Sequence, residues 1–383
     1  MSLNISLILS QSCISGKNHI ERGARMLTWR KTGLCMTLAF LFIVTGCGQS
    51  SGSSSPVTGS NSPTNQAQKE MTVRIAYNLP AEHSTGFYYE VLAKEIQKNT
   101  VNTSIKLNPQ TFPNAQLYND QQLPDAVSTG AVEIGQLNVG FLAGPEAEPL
   151  RIIDLPFLFN SWEAEWEAED GEYGKLFGQQ LEKFNMKMIG WAQYGTVDFY
   201  ANKSIKLPGD LQGLKMRGFG KGSSLMLQEL GASPVSMSSQ EIYQAMQHGT
   251  IDGYSTGPSS VVDRGLYEVT KNGTNMNMSF LPFQGIANKN WWDSLPSDVQ
   301  KAISDASQVA QKASREKARA DAEEYLKKLA EHGVQLYKPT PEERNKWVES
   351  AKGRFADYSQ KSGDLGKQLL EAVQKANQNH PAK

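Results

Sequence analysis

The chain has 383 residues, of which 39% are hydrophobic and 20% charged, and its 38 basic and 39 acidic side chains leave a formal net charge of −1. That is enough material for two lobes, and the even balance disfavours a nucleic-acid or strongly acidic partner. The five histidines, His19, His83, His248, His332 and His380, lack the paired spacing of a zinc site and have no cysteine partner, so neither a metal nor a cofactor is expected.

Residues 26–46 read as a secretion signal: Arg30 and Lys31 precede an apolar run at 34–44 that is too short to span a bilayer. The run ends at Val44-Thr45-Gly46-Cys47, which resembles a bacterial lipobox and implies cleavage before Cys47 and acylation of that residue. Cys13 and Cys35 lie upstream of this cut, so the mature chain would keep Cys47 alone, with no disulfide and no thiolate nucleophile. Residues 1–25 carry no signal of their own and fit an upstream start. Residues 48–68, rich in serine, glycine and proline, have the composition of a solvated tether.

Alternation at Val73, Ile75 and Tyr77 predicts a strand over 72–77, and apolar spacing predicts a helix over 86–98. The loop between them, residues 78–84, lies at a strand's carboxyl end, where open α/β folds place ligands; Glu82 is a candidate there and Ser84 a candidate cap. Residues 105–107 form the next short strand. Residues 122–135 and 241–253 share one pattern, a short helix, a glycine stop at Gly130 or Gly249, and a strand, which points to two lobes built alike. The strand ends Gln136 and Asn138 would then face Tyr254 and Thr256 across a cleft. Residues 189–200, bending at Gly195, carry the chain between lobes.

Residues 210–258 hold the strongest pattern. A turn at Gly213 leads to a short strand, 214–216, that delivers Arg217 to its end, where a guanidinium can pair a carboxylate through two charge-assisted bonds, with a surface ion pair as the competing role. Gly218-Phe219-Gly220-Lys221-Gly222 follows, before a helix over 223–230; its glycines permit a tight bend, and its backbone N–H groups offer an alternative cradle for a phosphate or phosphonate. Ser238 and Glu241 form a capping box for the next helix. Phe219, Tyr254 and Trp191 are candidate apolar walls, with core packing as the competing role, foremost for Trp191. Trp291 to Pro296 introduce a long solvated bracing helix from Ser297 or Asp298 to about His332, stopped at Gly333, and helices near 341–358 and 363–378 are expected to pack on the second lobe.

The segments GLKMR (213–217), LGASPVSM (230–237), EIYQAMQHGTIDGY (241–254), LYEVTK (266–271), PNAQL (113–117), DLPFLF (154–159), ANKSIKLPGDLQG (201–213) and WWDSLPSDVQKA (291–302) closely resemble the substrate-binding subunits of TRAP transporters, the DctP family. The resemblance covers most of residues 72–340. It implies an α/β, two-lobed periplasmic-binding-protein-like fold with a ligand cleft between lobes and a long bracing helix. The lobes would be 71–194 with 282–320, and 195–281 with 321–383. It further implies a small organic acid as ligand, Arg217 as its carboxylate anchor, and small and large TRAP membrane subunits as partners of an extracytoplasmic, lipid-tethered receptor that is not an enzyme. A ligand sensor, a receptor for an ATP-driven importer, and an extracytoplasmic lyase or hydrolase are the alternatives. Three departures stand out: Val197 where many members carry a second arginine, Thr256 in place of a frequent asparagine, and Ser239 in place of a frequent phenylalanine. One fixed charge fewer favours monocarboxylates over diacids, unless Lys221 or Lys203 replaces the missing cation.

Overall fold

A computed structural model describes residues 68–381; the signal, Cys47 and the tether lie outside the described residues. In chain order the elements run β1 (Lys69–Ala76), α1 (Ser84–Asn99), β2 (Ile105–Phe112), α2 (Leu123–Ser128), β3 (Ile134–Leu137), α3 (Trp162–Asp170), α4 (Glu172–Leu181) and β4 (Met186–Ala201). They continue with β5 (Lys215–Gly218), α5 (Lys221–Glu229), β6 (Ser233–Ser236), α6 (Ile242–Gln247), β7 (Gly253–Thr256) and α7 (Pro258–Asp263). The last are β8 (Asn272–Thr274), β9 (Ser279–Asn288), α8 (Lys289–Ser294), α9 (Ser297–Glu331), β10 (Gln335–Tyr337), α10 (Pro341–Lys361) and α11 (Gly363–Asn379).

The sheet order is β2-β1-β3-β9-β4-β7-β5-β6, with β8 pairing β4 and β10 pairing β8. Its two halves repeat one plan: β1 pairs in parallel with β2 and β3, β5 does so with β6 and β7, and an antiparallel strand closes each set, β9 on β3 and β4 on β7. The helix-stop-strand repeat is present in both halves, as α2 with β3 and α6 with β7, and Gly130 (φ 79°) and Gly249 (φ 66°) occupy the left-handed conformation that ends each helix. Parallel strands need crossovers that cover the sheet, and α1 serves this role by burying Tyr88, Tyr89, Leu92 and Ile96.

The 16-residue β4 joins the halves. Its first part pairs β9 and its end pairs β7 and β8, with a break in register at Gly195, where the sequence places a bend. The helix α9 runs from Ser297 to Glu331 as expected, yet it is less solvated than its composition implies. Val299, Ala302, Ile303, Ala306, Ala310, Ser314 and Ala318 form a buried stripe of mostly small residues, which lets α9 lie close on α1 and β4.

The structure corrects two expectations. The cap of α1 is His83, whose Nδ1 accepts the Thr85 N–H at 3.0 Å, because Ser84 is already the first helical residue. The C-terminal helices also divide between the halves. Trp347 of α10 is buried beside Phe199 and donates from Nε1 to the Lys206 carbonyl at 3.0 Å, on the second half. By contrast α11 packs on α3 and α4, where its buried face of Leu369, Val373 and Ala376 finds apolar surface. Among the described residues no helix is long and apolar enough to cross a membrane.

Candidate functional site

The loops that follow the parallel strands converge on one cavity, as the switch-point rule for open α/β sheets requires. Asn78 follows β1, Asp120 follows β2 and Asn138 follows β3; Arg217 and Phe219 come from the end of β5, Ser239 from beyond β6 and Thr256 from β7. Tyr194 and Val197 of β4, with Leu281 and Phe283 of β9, form the floor where the halves join. The space unoccupied by protein atoms there is about 350 Å³, open solvent at its mouth included.

Arg217 is 2% exposed. Its Nε donates to the Met237 carbonyl at 3.3 Å and its Nη1 to the Ser255 carbonyl at 3.4 Å, while Nη2 stands 3.7 Å from Asp120 Oδ2. All three contacts are longer than well-formed charge-assisted bonds, so a buried cation retains unsatisfied capacity toward the cavity. Burial holds its pKa below the usual guanidinium value, and Arg264 opposes its charge further. Asp120 reaches across the cleft, accepting from Ser238 Oγ at 2.6 Å and from the Ser239 N–H at 3.2 Å. Ser238 also caps the turn before α6, and its N–H donates to Glu241 at 2.8 Å, which completes the expected capping box.

Tyr194 is fixed by its hydroxyl, which lies 2.9 Å from Thr256 Oγ1, donates to Ser260 at 2.8 Å and accepts from the Gly257 N–H at 2.9 Å. Behind it, the Nε2 of His83 is 2.9 Å from Ser259 Oγ; burial, with Arg264 and Lys317 nearby, pushes the imidazole down to about 3 and keeps it neutral. Asn138 donates to the Phe219 carbonyl at 2.9 Å and accepts from the Gly140 N–H at 3.0 Å, which seats the first half against the second.

Of the residues singled out in the sequence, the structure brings Arg217, Phe219, Asn138 and Thr256 to the cavity, together with Val197 and Ser239. It does not bring the other four. Glu82 is exposed at the surface of its loop. Gln136 lies one layer back, accepting the Asn78 N–H at 3.2 Å. Trp191 packs with Tyr173 and Phe177 in the core, and Tyr254 stacks on Tyr200 with ring centroids 5.7 Å apart, two residues short of the strand end at which Thr256 meets the cavity. Lys221 pairs with Glu148 at 2.7 Å, and Lys203 is exposed; neither lines the cavity. The start of α5 is not open to a phosphate, since the buried Asp154 carboxylate already sits against Gly222.

Sequence reasoning missed Asn78, Asp120, Tyr194 and Arg264. Asn78 and Asp120 follow strands β1 and β2, and the same switch-point rule that pointed to Glu82 identifies them once β2 is extended to Phe112. Arg264, just past the end of α7, carried no signal in its motif context. Its Nη2 donates to the Asn78 carbonyl at 2.9 Å, and its Nε is buried without a partner among the described residues.

The family described as bacterial extracellular solute-binding protein, family 7 (DctP) matches residues 75–361. The chain is 30% identical over 263 residues to the C4-dicarboxylate-binding periplasmic protein DctP of Rhodobacter capsulatus, covering 68% of this chain and 77% of that one. Its fold matches the sugar acid binding protein DctPAm of Advenella mimigardefordensis, solved with galactonate, with a TM-score of 0.75 and 27% identity over 80% of this chain and 99% of the other. It also matches DctP7 of Bordetella pertussis, an extracytoplasmic solute receptor binding pyroglutamic acid, with a TM-score of 0.74 and 25% identity over 79% and 99%. The ordered motifs, the two-lobed sheet and the convergent cleft agree with these matches, and the chain belongs to the DctP family, the extracellular solute-binding subunits of TRAP transporters.

Proposed function

We propose that this protein captures a small organic acid between its lobes and delivers it to the membrane subunits of a TRAP transporter. The observation that carries this reading is Arg217, a buried guanidinium at a strand end whose own contacts are long and whose remaining donors face the cavity. A ligand carboxylate held there gains two parallel charge-assisted bonds in a site from which water is excluded, where the attraction exceeds its value in bulk solvent. The acids named for the relatives, a C4-dicarboxylate, galactonate and pyroglutamic acid, share that one group. Closure matters for delivery as well, since only the closed form presents both lobe surfaces together to a membrane partner. Cys47 supplies the tether to the outer face of the membrane.

The test is a thermal-shift screen of the purified protein against mono- and dicarboxylates, sugar acids and phosphonates, followed by calorimetry. A ligand at 100 times its Kd adds about 2.7 kcal/mol. The expected result is stabilisation by carboxylates that is lost in Arg217→Ala; stabilisation by uncharged sugars alone would refute the reading.

A further inference from the structure

Three charged side chains line the cavity among the described residues: Arg217, Arg264 and Asp120. Two guanidiniums against one carboxylate leave a single positive charge in the cavity. We infer that Arg264 is a specificity-determining residue, and that the ligand is a monocarboxylate carrying a hydroxyl or N–H donor, its carboxylate shared between Arg217 and Arg264 and its donor directed to Asp120. This inference rests on the carboxylate reading of the site.

Three observations carry it. The Nε of Arg264 is buried with no hydrogen-bond partner, and only its Nη2 is engaged, at 2.9 Å on the Asn78 carbonyl. A buried guanidinium donor left empty is costly, and an anion in the cavity removes that cost. Both arginines also line the same cavity, so one anion held there can meet both. Asp120 accepts one bond from Ser238 and one from the Ser239 N–H, with Arg217 at 3.7 Å. A carboxylate has about four acceptor positions, so capacity remains for a ligand donor. A second ligand carboxylate near Asp120 meets a like charge instead.

The experiment is calorimetry with three probes, L-pyroglutamate, D-galactonate and succinate, on wild type, Arg264→Gln, Arg264→Lys, Asp120→Asn and Arg217→Ala, each checked for folding by circular dichroism. Wild type is expected to bind at least one monoacid tenfold or more tighter than succinate. Arg264→Gln should weaken that monoacid at least tenfold, with partial recovery in Arg264→Lys. Asp120→Asn should move the ratio of succinate to monoacid Kd at least tenfold toward succinate; the ratio cancels any effect on closure that both ligands share. Monoacid affinity within twofold of wild type in Arg264→Gln, a wild-type preference for succinate, or failure of both monoacids to bind would each overturn the inference. Loss of binding in Arg217→Ala with an unaffected Arg264→Gln would leave the carboxylate anchor standing and remove Arg264 alone, whereas intact binding in Arg217→Ala would count against the anchor itself.

Discussion

Gly140 and Gly220 touch backbone to backbone across the cleft, so that a Cβ on Gly140 would lie 2.8 Å from the Gly220 Cα and 3.0 Å from the Phe219 carbonyl oxygen. One glycine belongs to the turn after β3 and the other to the loop between β5 and α5. With the Asn138 amide bonded to the Phe219 carbonyl beside them, they form the seam along which the halves meet.

Gly140→Ala tests that seam. Neither backbone atom can yield as a flexible side chain can, so the methyl group should act against the closed form and leave each half intact. Overpacking of this kind costs about 1–3 kcal/mol, and ligand affinity should fall roughly tenfold, measured by calorimetry, with little change in the melting temperature of the unliganded protein. An equal loss in both measurements would place the strain within one half.

Arg217→Ala should weaken carboxylate binding by about 2–5 kcal/mol, the range for breaking a desolvated charge pair. Arg217→Lys keeps the charge and loses the planar fork, so its affinity should fall between wild type and alanine. An unchanged Kd in the folded alanine variant would remove Arg217 from the site.

Val197 is fully buried and faces the cavity from β4. Val197→Arg adds a cation there, and competition between a matched monoacid and diacid should move toward the diacid, with some loss of monoacid affinity because the larger side chain takes up space. No change in that ratio would show that position 197 does not sense ligand charge.

Asp198 is buried with Oδ1 accepting from the Met276 N–H at 3.1 Å, pinning the crossing from β8 to β9, and burial pushes its carboxyl up to about 7. An unfolded aspartate titrates near ~3.9. Between these values the folded protein holds a proton that the unfolded chain has released, so this group's contribution to stability is full below about pH 4 and is lost as the pH rises to about 7. Denaturant unfolding at several pH values should show a flatter profile in Asp198→Asn than in wild type over this window. Identical slopes would exclude a protonated Asp198.

Cys47→Ser should leave folding and ligand binding intact while abolishing acylation, read by mass spectrometry and membrane fractionation. Recovery of acylated protein in the membrane fraction would refute the lipobox reading of Val44-Thr45-Gly46-Cys47.

What was legible in the sequence was local. The alternation of Val73 and Ile75, the Ser238–Glu241 capping box, the glycine stops at Gly130 and Gly249, and the length of α9 each follow from interactions within a few residues, and each is present in the structure. Arg217 was legible for the same reason, since a short strand beside a glycine bend sets where its side chain begins. The sharing of the cleft among loops from both halves was decided by long-range pairing of β4 with β9, β7 and β8, which no local pattern encodes. That pairing places Asp120 3.7 Å from an arginine almost one hundred positions away, brings Arg264 to the Asn78 carbonyl, and turns Trp191 and Tyr254 into the core. Side-chain direction explains the difference: a strand position alternates between two faces, and which face meets solvent, core or ligand is settled only when the neighbouring strand and helix are in place.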